Sequence, residues 1–197
     1  MKNNARVVVI GGGVVGVSTL YHLVKKGWTD CVLIERKELT SGSTWHAAGL
    51  LPLFNMSYSV GQIHKYSVDL YGRLEEETGQ YAGLSRVSNI RLATTQDRMD
   101  EYKQYAGVAQ TIGVQVDILT PDEVVDIWPL AVKDNLIGAI RHPMDGYIQP
   151  ADLTQALAKG ARDIGGQIYR NTHVTAISRT LSGEWKVTTD KGEIICE

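Results

Sequence analysis

Three glycines near the N-terminus have the spacing of a turn that binds phosphate. Gly11, Gly13 and Gly16 form the pattern G-x-G-x-x-G directly after the apolar run Val7 to Ile10. In such a turn the first glycine permits the tight bend, the second lets a pyrophosphate approach the backbone, and the third lets the helix pack closely on the strand. The unpaired N–H groups at the start of the following helix attract anions. These residues therefore predict contact with a pyrophosphate.

A carboxylate stands where such a site needs one. Glu35 follows a second apolar run, Cys31 to Ile34, about twenty residues after the last glycine of the turn. A carboxylate at that position can accept hydrogen bonds from the ribose of an adenosine. A glycine turn without phosphate is the alternative, but here a strand, a helix and a spaced acid accompany the glycines. The segment predicts a dinucleotide-binding site.

The helix after the turn must pack against the two strands. Lys25 and Lys26 lie near its end, where the helix dipole favours cations, and Gly27 can terminate it. Its apolar residues recur at the spacing i, i+3, i+4, i+7, which is the stripe of a helix packed on a sheet. They are Val17, Leu20, Tyr21 and Val24. The pattern predicts a strand–turn–helix–strand unit.

The composition is that of an ordinary globular protein. The chain has 197 residues, of which 43% are hydrophobic and 21% charged, and its net charge is -2. This length is enough for one sizeable core or for part of a two-domain protein. The small net charge gives no sign of nucleic-acid or membrane binding.

Cysteines and targeting signals add little. The two cysteines, Cys31 and Cys196, form no C-x-x-C pair, so we expect neither a disulfide framework nor a metal site. We find no signal peptide, no transit segment and no apolar run of membrane-spanning length. These observations predict a cytoplasmic protein, with a processed organellar form as the alternative.

The rest of the chain indicates an α/β fold in two parts. Residues 1–56 form the first part of a dinucleotide-binding domain, residues 57–150 an inserted substrate-side region of mixed helices and strands, and residues 151–197 the return to the first domain. Within the insert, two predicted strands flank a turn at Asp145 and Gly146. The return segment begins with a helix and ends in a meander of three short strands. These strands are Val174 to Ile177, Trp185 to Thr189 and Glu193 to Cys196.

A loop rich in small and polar residues, SGSTWHAAGL from Ser41 to Leu50, follows the second strand. Taken alone, its histidine, His46, fits a solvated connection. Together with the glycine turn and the pair Glu35-Arg36, however, this loop resembles the FAD-dependent dimethylglycine and sarcosine dehydrogenases and oxidases. These are members of the larger group of D-amino-acid-oxidase-like flavoproteins. The resemblance continues through YGRLEEETGQ, NIRLATT and PMDGYIQPADL, and so covers nearly the whole chain.

The resemblance implies that FAD is the cofactor and that His46 is covalently bound to the 8α-methyl carbon of the flavin. It also implies that Glu35 and Arg36 hold the adenosine end, that Val174 meets the adenine through its backbone, and that Leu50 lies close to the flavin ring. The complete predicted cofactor-binding set is Gly11, Gly13, Val14, Val15, Gly16, Glu35, Arg36, Ser43, Thr44, Trp45, His46, Gly49, Leu50 and Val174.

The resemblance also implies a Rossmann-like FAD-binding domain that is incomplete at Glu197, followed in the family by a further parallel strand. The inserted region would be the start of an α+β substrate domain. We therefore expect an N-terminal piece of a longer enzyme, with an exposed sheet edge that a partner chain or self-association could cover.

The function implied by the resemblance is oxidation of an N-methyl secondary or tertiary amino acid by hydride transfer to the flavin. The electron acceptor would be an electron-transfer flavoprotein or O2. A second hypothesis is a non-catalytic regulatory or interaction protein, since the regulatory subunit of pyruvate dehydrogenase phosphatase looks similar in the same stretch. A nicotinamide-dependent dehydrogenase ranks last, because it does not explain the loop around His46 or the meander.

Overall fold

The computed structural model describes all residues from 1 to 197. Its five helices are α1 (Val14–Lys25), α2 (Tyr58–Thr78), α3 (Gln96–Ile112), α4 (Pro121–Ile127) and α5 (Pro150–Asp163). Its thirteen strands are β1 (Asn4–Ala5), β2 (Val7–Ile10), β3 (Cys31–Ile34), β4 (Leu50–Leu51), β5 (Leu84–Arg86), β6 (Asn89–Ala93), β7 (Asp117–Leu119), β8 (Gly138–His142), β9 (Gly146–Ile148), β10 (Gln167–Tyr169), β11 (Val174–Arg179), β12 (Trp185–Thr189) and β13 (Gly192–Cys196).

The chain divides into two compact units. Unit 1 contains residues 1–49, 73–83 and 149–197, and unit 2 contains residues 50–72 and 84–148. The domain limits proposed from the sequence stay a prediction.

A three-stranded parallel sheet in the order β10-β3-β2 forms the centre of unit 1. Strand β3 lies in the middle, and its four residues are at most 1% exposed. Such continuous burial is typical of a parallel strand that is covered on both faces. Strand β2 has a hydrogen-bonded neighbour on one side only, which is β3.

Helix α1 buries the four residues that the sequence pattern placed on one stripe. Helix α5 approaches it closely in the same unit. At Gly160 of α5, an added Cβ would lie 2.8 Å from the ring of Tyr21 and 2.7 Å from Thr78. Since real Cβ contacts are longer, the glycine is what permits this packing.

The predicted meander is present as β11, β12 and β13, which pair antiparallel in that order. Strand β13 also pairs in parallel with the two-residue strand β1, with Asn4 opposite Ile195. The sequence pattern gave no sign of β1, because two residues are too few to show an alternation. Apolar residues of the meander and of β3 share one core cluster, which includes Val32, Val187 and Ile194.

Unit 2 contains two three-stranded sheets, β4-β9-β5 and β6-β8-β7. The two strands predicted around the turn at Asp145 are β8 and β9, and they belong to different sheets. Strand β8 pairs with β6 and β7, whereas β9 pairs with β4 and β5. A capping box between Thr120 and Glu123 starts helix α4.

One ionic cluster of unit 1 predicts a measurable pH dependence. Glu77 accepts hydrogen bonds from Tyr21, Lys25 and Arg73. Although burial acts in the opposite direction, these bonds lower the pKa of Glu77 to about 2. The stabilisation is therefore fully present above the ordinary pKa of about 4.5 and is lost as the pH falls toward 2.

We expect the variant Glu77→Gln to lose about 1 kcal/mol of unfolding free energy at pH 7, since partial exposure screens these pairs. The difference from the wild type should shrink when denaturant unfolding is measured at pH 3. Glu76→Gln is the matched control, because this exposed neighbour has none of these partners. An equal loss at both pH values would contradict the prediction.

Candidate dinucleotide-binding site

Three positions of the glycine turn, Gly11, Gly12 and Gly16, require glycine for different reasons. Gly11 has φ = +109°, a conformation that residues with a Cβ rarely adopt, and its N–H donates to Ile34 O at 2.8 Å. A Cβ on Gly16 would collide with the carbonyl oxygen of Gly11. A Cβ on Gly12 would lie 2.6 Å from Leu39 and 2.8 Å from Glu35. The role of Gly12 was not predicted, because the motif leaves that position open.

The start of helix α1 offers free donors to an anion. The N–H of Val14 donates to the Thr44 hydroxyl at 2.9 Å, and the N–H of Val17 donates to the carbonyl of Gly13 at 3.0 Å. The N–H groups of Val15 and Gly16 lie between them and have no acceptor in the chain. Two unpaired amides at a helix N-terminus form the arrangement that binds phosphate.

Glu35 has a role that the sequence did not predict. Its side chain is buried, and its two oxygens accept the N–H groups of Gly12 and Lys37, each at 2.7 Å. The carboxylate therefore holds the glycine turn to the end of strand β3. A carboxylate has about four acceptor positions, so capacity remains for the ribose hydroxyls that the sequence pattern assigned to it.

The loop predicted around His46 contains a single 3-10 turn, Ser43–His46. Thr44 is buried at 8% exposure, and its hydroxyl accepts the N–H of Val14. Ser43, Trp45 and His46 are exposed, and Trp45 is exposed by 70%. Hence the buried residue of this turn supports helix α1, and its neighbours are accessible to a ligand.

Most of the predicted cofactor-binding residues line two cavities of unit 1. The first has a volume of about 580 Å³, and the second about 270 Å³. Both are lined by Ile10, Gly11, Glu35 and Arg36. Their combined size lies in the range of natural cofactor sites. The first is also lined by Gly13, Val14, Val15, Gly16, Ser43 and Thr44.

The second cavity contains Val174, together with Thr172 and His173. No sequence motif singled out Thr172 or His173. Their position follows from the backbone, because Thr172 N–H donates to Glu35 O at 2.9 Å. Trp45, His46, Gly49 and Leu50 line neither cavity.

These features fit the pyrophosphate and adenosine of a dinucleotide. The glycine turn leaves no room for a Cβ atom at Gly12 or Gly16, two amides are unpaired, and a buried carboxylate lies beside them. No group of three or more His, Cys, Asp or Glu side chains is placed to hold a metal ion. No helix has the length and apolar character needed to cross a membrane.

Comparison with known proteins adds a family to this geometry. The model of the family described as FAD dependent oxidoreductase matches residues 6–196. Mitochondrial dimethylglycine dehydrogenase of Rattus norvegicus is 43% identical over 98% of this chain and 22% of its own length. The mitochondrial regulatory subunit of pyruvate dehydrogenase phosphatase of Mus musculus is 39% identical over 98% of this chain and 22% of its own length.

Among solved structures, L-proline dehydrogenase from P. horikoshii superposes with a TM-score of 0.90 and 27% identity. The match covers 100% of this chain and 52% of that one. The chain thus spans about a fifth of the length of these two curated relatives.

Proposed function

Because the chain belongs to the family of FAD-dependent oxidoreductases, we propose that it forms the FAD-binding part of an enzyme that oxidises an N-methyl secondary or tertiary amino acid. Dimethylglycine and sarcosine are the substrate type, and removal of the methyl group as a one-carbon unit is the outcome. The observation that carries the proposal is the glycine cradle beside Glu35, in a chain 43% identical to dimethylglycine dehydrogenase.

Each part of the chain has a defined task in this proposal. The amides of Val15 and Gly16 bind the pyrophosphate of FAD, as a helix N-terminus does for anions. Glu35 binds the ribose while it holds the turn, and Arg36 and Val174 lie along the adenosine. The flavin, when bound, supplies the hydride-accepting chemistry, and the protein binds and orients it.

His46 is the proposed point of covalent attachment. Its side chain is exposed, so the imidazole is accessible to a ligand. A neutral imidazole is a competent nucleophile near pH 7. The neighbouring residues Ser43, Trp45, Gly49 and Leu50 complete the proposed set around the flavin.

The test is a visible spectrum of acid-precipitated and washed protein. We expect yellow colour to stay with the wild-type pellet and to be absent from the pellet of His46→Ala. His22→Ala is a matched control, since it removes a half-buried histidine of helix α1 that lines neither cavity and should leave the pellet yellow. Colour only in the supernatant would mean that FAD binds without attachment, and no colour in either fraction would contradict FAD binding.

A second function has one specific observation in its favour. The regulatory subunit of pyruvate dehydrogenase phosphatase is almost as similar as the dehydrogenase over the same residues, at 39% against 43% identity. Fold and fingerprint alone do not establish turnover. Reduction of the bound flavin by dimethylglycine or sarcosine, followed at its visible band, separates the two functions. A nicotinamide-dependent dehydrogenase is not favoured, because the family is FAD-dependent.

The acceptor, the location and the partner are further parts of the proposal. Oxygen consumption during turnover distinguishes O2 from an electron-transfer flavoprotein as the electron acceptor. The cytoplasmic location stays a prediction, and the names of the two relatives point instead to mitochondria as the location to test. Association through an exposed edge of the parallel sheet, with a partner chain or a second copy, also stays a prediction.

A further inference from the structure

The segment Leu50–Phe54 follows the loop of His46 directly, and two side chains of unit 2 hold it at one residue. The N–H of Leu53 donates to Asp145 Oδ1 at 3.0 Å. The hydroxyl of Tyr105 donates to the carbonyl oxygen of Leu53 at 2.9 Å. Asp145 and Tyr105 are 1% and 0% exposed. Both polar groups of the Leu53 backbone are therefore fixed by buried side chains from distant parts of the sequence.

The next residue, Phe54, is half-buried, and Tyr105 is one of the side chains of unit 2 that contact its ring. The guanidinium of Arg91 lies 4.4 Å from the centre of the Phe54 ring. The ring of Tyr105 lies 4.2 Å from it on a tilted plane, and His142 meets it edge-on at 6.1 Å. Such contacts add to the energy of burial and fix the orientation of the ring.

Polar and charged side chains such as Arg91, His142 and Asp145 are unusual in a protein core. The register of β6 and β8 places Asn89 opposite His142, and Arg91 points to the same face two residues later. Burial raises the pKa of Asp145 to about 6 and lowers the pKa of His142 to about 4. Burying such groups costs free energy, and apolar residues of similar volume often stabilise a core at least as well. Stability alone does not explain the cluster.

The backbone of the segment has little other support. Strand β4 contains two residues, Leu50 and Leu51, and it pairs only with β9. A ladder of two residues is too short to be stable by itself. Leu50, Leu51 and Pro52 nevertheless form one wall of a cavity of about 180 Å³. The other wall comes from helix α2 and includes His64 and Tyr71.

We propose that Asp145 and Tyr105 are positioning residues that clamp the backbone at Leu53 and thereby fix the residues Leu50–Pro52. The link to flavin binding rests on the proposed function, which assigns Leu50 to the surroundings of the flavin. The clamp itself is a property of unit 2 and can be measured without cofactor. It explains why a carboxyl and a phenol are buried at this point of the fold.

The test compares two tyrosines of helix α3 by hydrogen exchange of the full chain. Tyr105→Phe removes only the hydroxyl, which donates to Leu53 O and also lies 3.3 Å from His142 Nε2. Tyr102→Phe is the matched control, since its hydroxyl lies in the same core but donates to Leu92 O at 3.3 Å. We expect amide exchange in residues 50–54 of the apo protein to rise about tenfold in Tyr105→Phe, the factor that corresponds to one lost hydrogen bond. In Tyr102→Phe, amide exchange in residues 50–54 should equal that of the wild type.

Two further variants and one binding measurement complete the test. Asp145→Ala should raise exchange in the segment as Tyr105→Phe does, whereas Asp145→Asn keeps an acceptor oxygen and should restore most of the protection. Equal exchange in Tyr105→Phe and Tyr102→Phe would overturn the clamp. FAD binding to the wild type is measured separately. If the wild type binds no FAD, the proposed function fails, while the exchange data still decide whether the clamp exists.

Discussion

A Gly16→Ala variant should lose most of its ability to retain FAD. The added Cβ would point directly at the carbonyl oxygen of Gly11, and neither atom belongs to a flexible side chain that could move away. The turn must therefore shift, which displaces the unpaired amides of Val15 and residue 16 from their position. Overpacking of this kind costs about 1–3 kcal/mol. Part of the cost falls on cofactor binding, so we expect FAD affinity to decrease about tenfold to a hundredfold.

The measurement is a titration of apo protein with FAD, together with thermal unfolding without cofactor. Gly107→Ala is the matched control. Gly107 lies inside helix α3, where an added Cβ meets nothing within 4 Å. This replacement should stabilise the protein by up to about 1 kcal/mol, because alanine favours a helix, and should leave FAD affinity unchanged. Wild-type FAD affinity in Gly16→Ala would contradict the role of the turn.

The parts of the structure that the sequence could predict are those governed by local spacing. The glycine pattern predicted the turn, and the apolar stripe of α1 matches the four residues that the helix buries. The family prediction is confirmed by the match over residues 6–196, and the α/β fold by the similarity to L-proline dehydrogenase. Both rest on motifs whose residues lie close together in the chain.

The parts that could not be predicted depend on pairing between distant residues. The pairing of β1 with β13 joins residues at opposite ends of the sequence. Strands β8 and β9 are neighbours in the chain but lie in different sheets, and Asp145 between them bonds backbone groups of the distant residues Ser88 and Leu53. A local turn pattern carries no information about such distant partners. For the same reason, the sequence did not predict that the carboxylate of Glu35 accepts the backbone N–H of Gly12.

The backbone contacts of Glu35 predict a large effect on stability. Glu35→Gln should lower the unfolding free energy almost as much as Glu35→Ala. The two oxygens of Glu35 accept the N–H groups of Gly12 and Lys37. Glutamine has one acceptor oxygen, and its NH2 group would face the second backbone N–H, donor against donor. Hydrogen bonds to a charged acceptor contribute about 1.5–3 kcal/mol each. We expect a loss of about 2–4 kcal/mol in unfolding free energy without cofactor.

If Glu35 bound only the ribose, the variant Glu35→Gln would give a different result. A glutamine amide can still hydrogen-bond to hydroxyl groups, so apo stability would not change and only FAD affinity would decrease. Denaturant unfolding of apo Glu35→Gln therefore separates the two roles. Glu38→Gln is the matched control, since this nearby glutamate is exposed and pairs with the exposed Arg170. A stable apo Glu35→Gln with weakened FAD binding would leave the ribose as the only partner of Glu35, and the glycine turn would then be held by its backbone alone.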